Sequence, residues 1–159
     1  MTEAKWRSLV AQGWTTMLLV FLANITMDVI RASVEGKLVN WADHLGPQGV
    51  QIVLTVLAIY AVMPLLVRTV PWRAFIVVVV MLTFFIGLFV AAHEVSHLTT
   101  TRDKPFGMLH VLDLLHHAIT AGVMFAGVMW FRAAGRQAGG AAEAGRGAEE
   151  LTGPRAALP

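Results

Sequence analysis

Four runs of apolar residues, separated by short polar connections, dominate the sequence. They cover residues 9–30, 50–70, 75–98 and 108–131, approximately. A helix needs about 20 residues to cross roughly 30 Å of hydrocarbon, so each run predicts one transmembrane helix. Because the connections are short, consecutive helices are expected to run antiparallel. The pattern therefore predicts an all-α, integral membrane four-helix bundle with up-down connections.

The first run is the most polar of the four, since it contains Gln12, Asn24 and Asp28. It also follows Lys5 and Arg7, and a basic segment before an apolar stretch is shared with secretory signal peptides. No small-residue cleavage site follows the run. We therefore expect the first run to be retained as a membrane span.

The composition agrees with a membrane protein and excludes several classes. Hydrophobic residues make up 57% of the 159 residues and charged residues 14%, whereas roughly a quarter of a soluble domain is charged. The net charge of +2 and the scattered arginines give no basic stripe for nucleic acid. The absence of cysteine excludes disulfides and thiolate metal sites. We expect a transmembrane domain over residues 1–135, and a disordered cytoplasmic tail, rich in Ala, Gly, Glu and Arg, over residues 136–159.

The basic residues predict the orientation of the bundle. Four spans place both termini and the second connection on one side, which carries eight basic residues, against four on the other. The eight are Lys5, Arg7, Arg68, Arg73, Arg132, Arg136, Arg146 and Arg155, and the four are Arg31, Lys37, Arg102 and Lys104. Because cytoplasmic connections carry the excess of Lys and Arg, both termini are expected in the cytoplasm. The Arg-, Ala- and Gly-heavy C-terminus favours a bacterial inner membrane.

All six histidines lie between residues 44 and 117, and five of them lie on the last two spans or beside their connection. Residues 93–97 read His-Glu-Val-Ser-His, an H-E-x-x-H motif, and residues 110–117 read His-Val-Leu-Asp-Leu-Leu-His-His. Ionisable side chains at membrane depth are energetically costly, so a group of them indicates a functional site. The remaining histidine, His44, lies beside Asp43 in a connection and is expected to be solvated.

The spacing of these residues predicts a metal site at the extracytoplasmic end. His93 and His97 are about 40° apart around a helix and roughly 6 Å apart along it, so both can bind one ion. In an antiparallel hairpin the numbers of facing residues here add up to about 205–207, which puts His97 level with His110 and His93 level with Asp113. The preferred ligands are His93, His97, Asp113 and His117, with His110 and His116 as alternates. Imidazole and carboxylate together suit a transition-metal ion, with zinc or iron preferred.

Haem b is the main alternative ligand. Membrane four-helix cytochromes bind haem between histidines of two helices and pass electrons to a partner. His93 or His97 with His110, His116 or His117 would supply the two axial ligands. The two axial ligands must lie on opposite faces of the macrocycle, so the two helices would have to splay around it. A tight hairpin therefore suits a bare ion better than haem.

Two further classes stay open, and the sequence assigns no reaction. In zinc peptidases with H-E-x-x-H the glutamate activates water, so Glu94 becomes the catalytic base only if the protein is a hydrolase. A non-catalytic accessory or assembly subunit of a membrane complex would use the polar end for docking. The expected surroundings are the lipid bilayer and a homo-oligomer or a larger membrane complex.

Some polar and small residues have a simpler structural interpretation. Single histidines at a helix end are often only interface residues hydrogen-bonded to water. Asn24 and Thr26 are expected to hydrogen-bond between helices, and Gly122 with Ala126 predicts a small-residue packing face. These expectations concern helix packing and do not depend on a bound ligand.

Overall fold

The chain forms four long helices and no strand in the residues that the structure describes. The computed structural model describes residues 1–100 and 108–152. It describes only the backbone of residues 38–45, 93–94, 96–100, 108–110, 142 and 145–152. The helices are α1 (Glu3–Val34), α2 (Leu38–Thr69), α3 (Arg73–Thr100) and α4 (Met108–Thr152). Each contains a segment long and apolar enough to cross a membrane. The predicted all-α, four-span membrane bundle is confirmed.

Two glycines with positive φ end one helix and break another. Gly36 has a φ of 68° and follows α1, where the Lys37 N–H donates to the carbonyl of Ala32 at 2.7 Å. This is the left-handed turn by which glycine commonly ends a helix. Gly46 has a φ of 59° and a ψ of 175°, and it interrupts α2 just before Pro47. Proline suits the first turn of the helix that follows, so the second span begins at this break.

The four helices pack in the spatial order α2, α1, α4, α3. Extensive packing joins α1 to α2, α1 to α4 and α3 to α4, and α1 with α4 is the largest of the three interfaces. Within the described ranges, α2 and α3 make no comparable interface. The first and last helices therefore form the centre of the bundle, although they are farthest apart in sequence.

Buried side chains from all four helices fill the middle of the bundle and one of its ends. The largest are Val10, Trp14, Met17, Tyr60, Val67, Ile76, Val79, Thr83 and Trp130. The other end is formed by residues 20–34, 46–56, 84–100 and 108–117, and we call it the histidine end. There the side chains next to the core, such as Phe21, Val56 and Ile86, are only half-buried. Among the described side chains, the large fully buried ones therefore lie in the middle of the bundle and at the end opposite the histidine end.

The outward surface of the bundle is apolar on every helix. Large apolar side chains such as Leu19, Leu54, Phe85 and Leu114 are between 56% and 66% exposed. A continuous apolar surface of this extent suits lipid and would be unstable in water. The exposed surface and the four long apolar helices together define an integral membrane protein.

The segment after the fourth span differs from the expectation. Residues 136–159 were predicted to be a disordered tail, but α4 continues as helix to Thr152. Ala, Glu, Gln and Arg are strong helix formers, and in this segment they outweigh the glycines. Disorder was predicted from low hydrophobicity, which measures the lack of a buried face rather than the lack of a helix. Residues 153–159 lie outside the described part of the chain.

Candidate functional site

An interhelical hydrogen bond joins Asp113 of α4 to Asn24 of α1. The Asn24 Nδ2 donates to Asp113 Oδ1 at 2.6 Å. An ionised carboxylate only accepts hydrogen bonds, so the amide must present its NH₂ group to it. The Oδ1 of Asn24 is buried and has no hydrogen-bond partner in the described structure. The carboxylate of Asp113 is thus oriented by α1, a helix from which no ligand was predicted.

His116 points into the bundle and pairs with Tyr60 of α2. Its Nε2 lies 2.9 Å from the Tyr60 hydroxyl, and the two residues are 2% and 0% exposed. Which of the two groups donates depends on the tautomer of the His116 ring. The Nδ1 of His116 is buried without a partner in the described structure. The rings of Trp14 and Phe21 pack edge-on against Tyr60 at 5.6 and 5.5 Å.

His117 is oriented by its own helix. Its Nδ1 lies 2.7 Å from the backbone carbonyl of Asp113, one turn earlier on α4. A carbonyl oxygen only accepts, so Nδ1 carries the proton and donates it to this bond. The proton on Nδ1 leaves Nε2 with a free lone pair, and no hydrogen bond between described residues uses Nε2. His117 is half-buried, so Nε2 is an available ligand atom.

Close approaches between α3 and α4 give the register of this hairpin. A Cβ on Gly87 would stand 2.8 Å from Thr120, and one on Gly127 would stand 2.7 Å from Val80. In both pairs the residue numbers add up to 207. The predicted range of 205–207 includes this value, so the expected register is confirmed where the structure describes it. Continued along both helices, it puts position 93 level with position 114.

The remaining predicted site residues lie outside the described side chains. These are His93, Glu94, His97 and His110, and the solvated His44 is among them as well. Among the side chains that are described, no three His, Cys, Asp or Glu residues converge as a metal site would require. Asp113, His116 and His117 therefore do not form a complete site on α4 alone, and further ligands would have to come from other positions.

Two residues that contact the predicted cluster were not among the candidates. Tyr60 was visible in the sequence as a titratable residue in the middle of an apolar span, which is a signal for a buried hydrogen bond. Asn24 was expected to bond between helices, and it does so, but its partner was not predicted. Thr26 instead donates to the carbonyl of Leu22 in its own helix, at 2.8 Å.

Comparisons of the chain with protein-family models, with curated proteins and with solved structures found no match in any of the three. Function is therefore inferred from the residues and their geometry.

Proposed function

We propose that the protein binds a transition-metal ion at the histidine end of its bundle, between α3 and α4. The observation that carries this proposal is the orientation of His117. In metal sites the ligating histidine almost always donates its other ring N–H to a carbonyl or carboxylate, which fixes the ring and the tautomer. The bond from His117 Nδ1 to the Asp113 carbonyl has this form and presents Nε2 as the ligand atom.

Asp113 supplies a carboxylate one turn from His117. Its Oδ1 accepts from Asn24, so its second oxygen is the one available to an ion. Carboxylates that ligate metals are themselves usually hydrogen-bonded. Asp113 and His117 thus offer one oxygen and one nitrogen from the same side of α4.

The other two ligands proposed are His93 and His97 of α3. Position 93 lies fourteen residues after Val79, and position 97 lies fourteen residues after Thr83, which is about four helical turns in each case. Val79 and Thr83 are 1% and 0% exposed and line the core. A seven-residue repeat keeps positions on the same seam of a helical bundle. On this repeat, positions 93 and 97 continue the seam of Val79 and Thr83, and the sum of 207 would put them level with positions 114 and 110, on either side of Asp113.

His116 and His110 stay as the alternate ligands. The Nε2 of His116 is engaged by Tyr60, so His116 would have to bind the ion through its buried Nδ1. His110 lies one turn from Asp113 on α4.

The packing of the bundle favours a bound ion over a transported one. We propose that an ion enters from the histidine end, where side chains such as Phe21, Val56 and Ile86 are half-buried. Beyond His116 the path meets Tyr60, Trp14 and Trp130, all with 0% exposure. With both termini in the cytoplasm, as the basic residues predict, the histidine end faces the outside of a bacterial inner membrane.

Metal analysis of the purified full-length protein in detergent tests the proposal. After chelation and dialysis, cobalt(II) is added and the visible d–d absorption is recorded, with elemental analysis of the unchelated sample in parallel. We expect one ion per chain and loss of binding in the His93→Ala/His97→Ala variant. His44→Ala is the matched control, since it removes a histidine outside the cluster and should bind like the wild type.

Three results would contradict the proposal. The first is a wild-type protein that binds no cobalt and contains no metal. The second is stoichiometric metal retained by the His93→Ala/His97→Ala variant, which would reject these ligands. The third is a Soret band in the protein as purified, which would favour the haem b alternative. If metal is bound, Glu94→Gln separates a hydrolase from a binding protein, because it should stop hydrolysis and spare the ion.

A further inference from the structure

We infer that Asn24 is a positioning residue for the metal site and sets its affinity by holding the Asp113 carboxylate. This inference rests on the proposed function. It adds α1 to a site that would otherwise be built from α3 and α4. The observation behind it is the 2.6 Å hydrogen bond from Asn24 Nδ2 to Asp113 Oδ1.

The bond joins an amide donor to a carboxyl acceptor on another helix. Hydrogen bonds to an ionised acceptor are shorter and roughly twice as strong as those between neutral groups. Asp113 and Asn24 are both half-buried. Asn24 therefore fixes the rotation of the carboxyl group, and a metal ligand needs a fixed orientation.

Asp113 is the hydrogen-bond partner of the Asn24 side chain among the described residues. The Asn24 Oδ1 is buried and makes no hydrogen bond there. The bond to Asp113 is therefore the contact through which a change at Asn24 reaches the proposed ligand.

The test is a cobalt(II) titration of the full chain in detergent, with four substitutions on α1. Asn24→Leu removes the amide at similar volume, Asn24→Ser is polar but too short to reach Asp113, and Asn24→Gln keeps the NH₂ donor. Thr26→Val is the matched control, because the Thr26 hydroxyl bonds only within α1 and is exposed. Circular dichroism verifies that each variant is folded.

We expect the Leu and Ser variants to bind cobalt about 10- to 100-fold more weakly and with shifted d–d bands, as is typical when the partner of a ligand is removed. Asn24→Gln should recover most of the affinity, and Thr26→Val should equal the wild type. In an Asp113→Asn background, Asn24→Leu should cause no further loss, because residues that act through one another are not additive.

The outcomes separate this inference from the proposed function. If the wild type binds no cobalt, the proposed function fails and the role of Asn24 fails with it. If the wild type binds but Asn24→Leu and Asn24→Ser bind equally well, only the role of Asn24 is rejected. If Asn24→Leu lowers the cobalt affinity as much in the Asp113→Asn background as in the wild type, Asn24 acts through the packing of the helices. The inference is then also rejected.

Discussion

Gly87 determines how closely α3 and α4 approach each other just below the site. A Cβ at this position would stand 2.8 Å from Thr120 Cγ2, whereas carbon atoms in contact are normally about 3.5–4.0 Å apart. Thr120 is 3% exposed, and its hydroxyl donates to the carbonyl of His116 at 2.8 Å. Rotating Cγ2 away would break that bond. Gly87→Ala must therefore separate the two helices by about 0.7 Å or more at this level.

The expected cost follows from two opposing effects. Overpacking a well-filled interface costs about 1–3 kcal/mol, while replacing glycine by alanine in a helix gains up to about 1 kcal/mol. Gly122 is the matched control, because a Cβ there would meet nothing within 4 Å. Gly122→Ala has the same helix-propensity gain without the clash. The free energy of unfolding of Gly87→Ala should therefore lie about 1–3 kcal/mol below that of Gly122→Ala.

Unfolding by SDS in mixed micelles, followed by circular dichroism, measures this difference. Thr120→Ser provides the rescue, since it removes Cγ2 and keeps the hydroxyl. In the Thr120→Ser background, Gly87→Ala should lose most of its cost. Equal stability of Gly87→Ala and Gly122→Ala, or a cost that Thr120→Ser leaves unchanged, would refute the close approach of the two helices.

Two further predictions concern hydrogen bonds at other depths. Tyr60→Phe removes the hydrogen-bond partner of His116 Nε2 in the bundle core. In the same SDS assay it should lower the free energy of unfolding by about 1–2 kcal/mol. Unchanged stability would contradict the pairing. Outside the spans, the hydrogen bond from Arg31 and the nearby Lys37 lower the pKa of Glu35 to about 2. Because the pKa is lowered, the interaction of ionised Glu35 with Arg31 and Lys37 stabilises the folded protein above the ordinary pKa of 4.5. This contribution is lost as the pH falls through about 2. Carboxyl ¹³C NMR should show a titration midpoint of about pH 2 for Glu35, and this midpoint should rise in Arg31→Gln. A wild-type midpoint near the ordinary pKa of 4.5 would reject the ion pair.

The spans and the hairpin register were predictable because they depend on local sequence. A run of apolar residues determines where a helix can cross a membrane, and α4 returns beside α3 as the predicted hairpin requires. The short connection between α2 and α3 does not have this effect, because within the described ranges those two helices make no comparable interface. The pairing of Gly87 with Thr120 lies within the register expected for the predicted hairpin. No long-range information was needed for either result.

The partners of the site residues were not predictable because they depend on how each helix is rotated about its axis. The placement of Asp113 against Asn24 comes from the packing of α1 on α4, which no short connection imposes. The same limit applies to the predicted packing face of Gly122 and Ala126. Ala126 is buried, but Gly122 is exposed with open space around it. A four-residue spacing shows that two residues lie on the same face of a helix, but it does not show whether that face turns toward another helix or toward lipid.

The unbroken length of α4 has a mechanical consequence. Its 45 residues extend over roughly 67 Å, about twice the thickness of the hydrocarbon layer. Asp113 and His117 lie near the first turns of this rod, and Thr152 ends it. A tilt of only about 5° around the middle of the rod would move its far tip by roughly 3 Å. The same tilt would move the end that carries Asp113 and His117 by a similar distance in the opposite direction, so the helix couples the motions of its two ends.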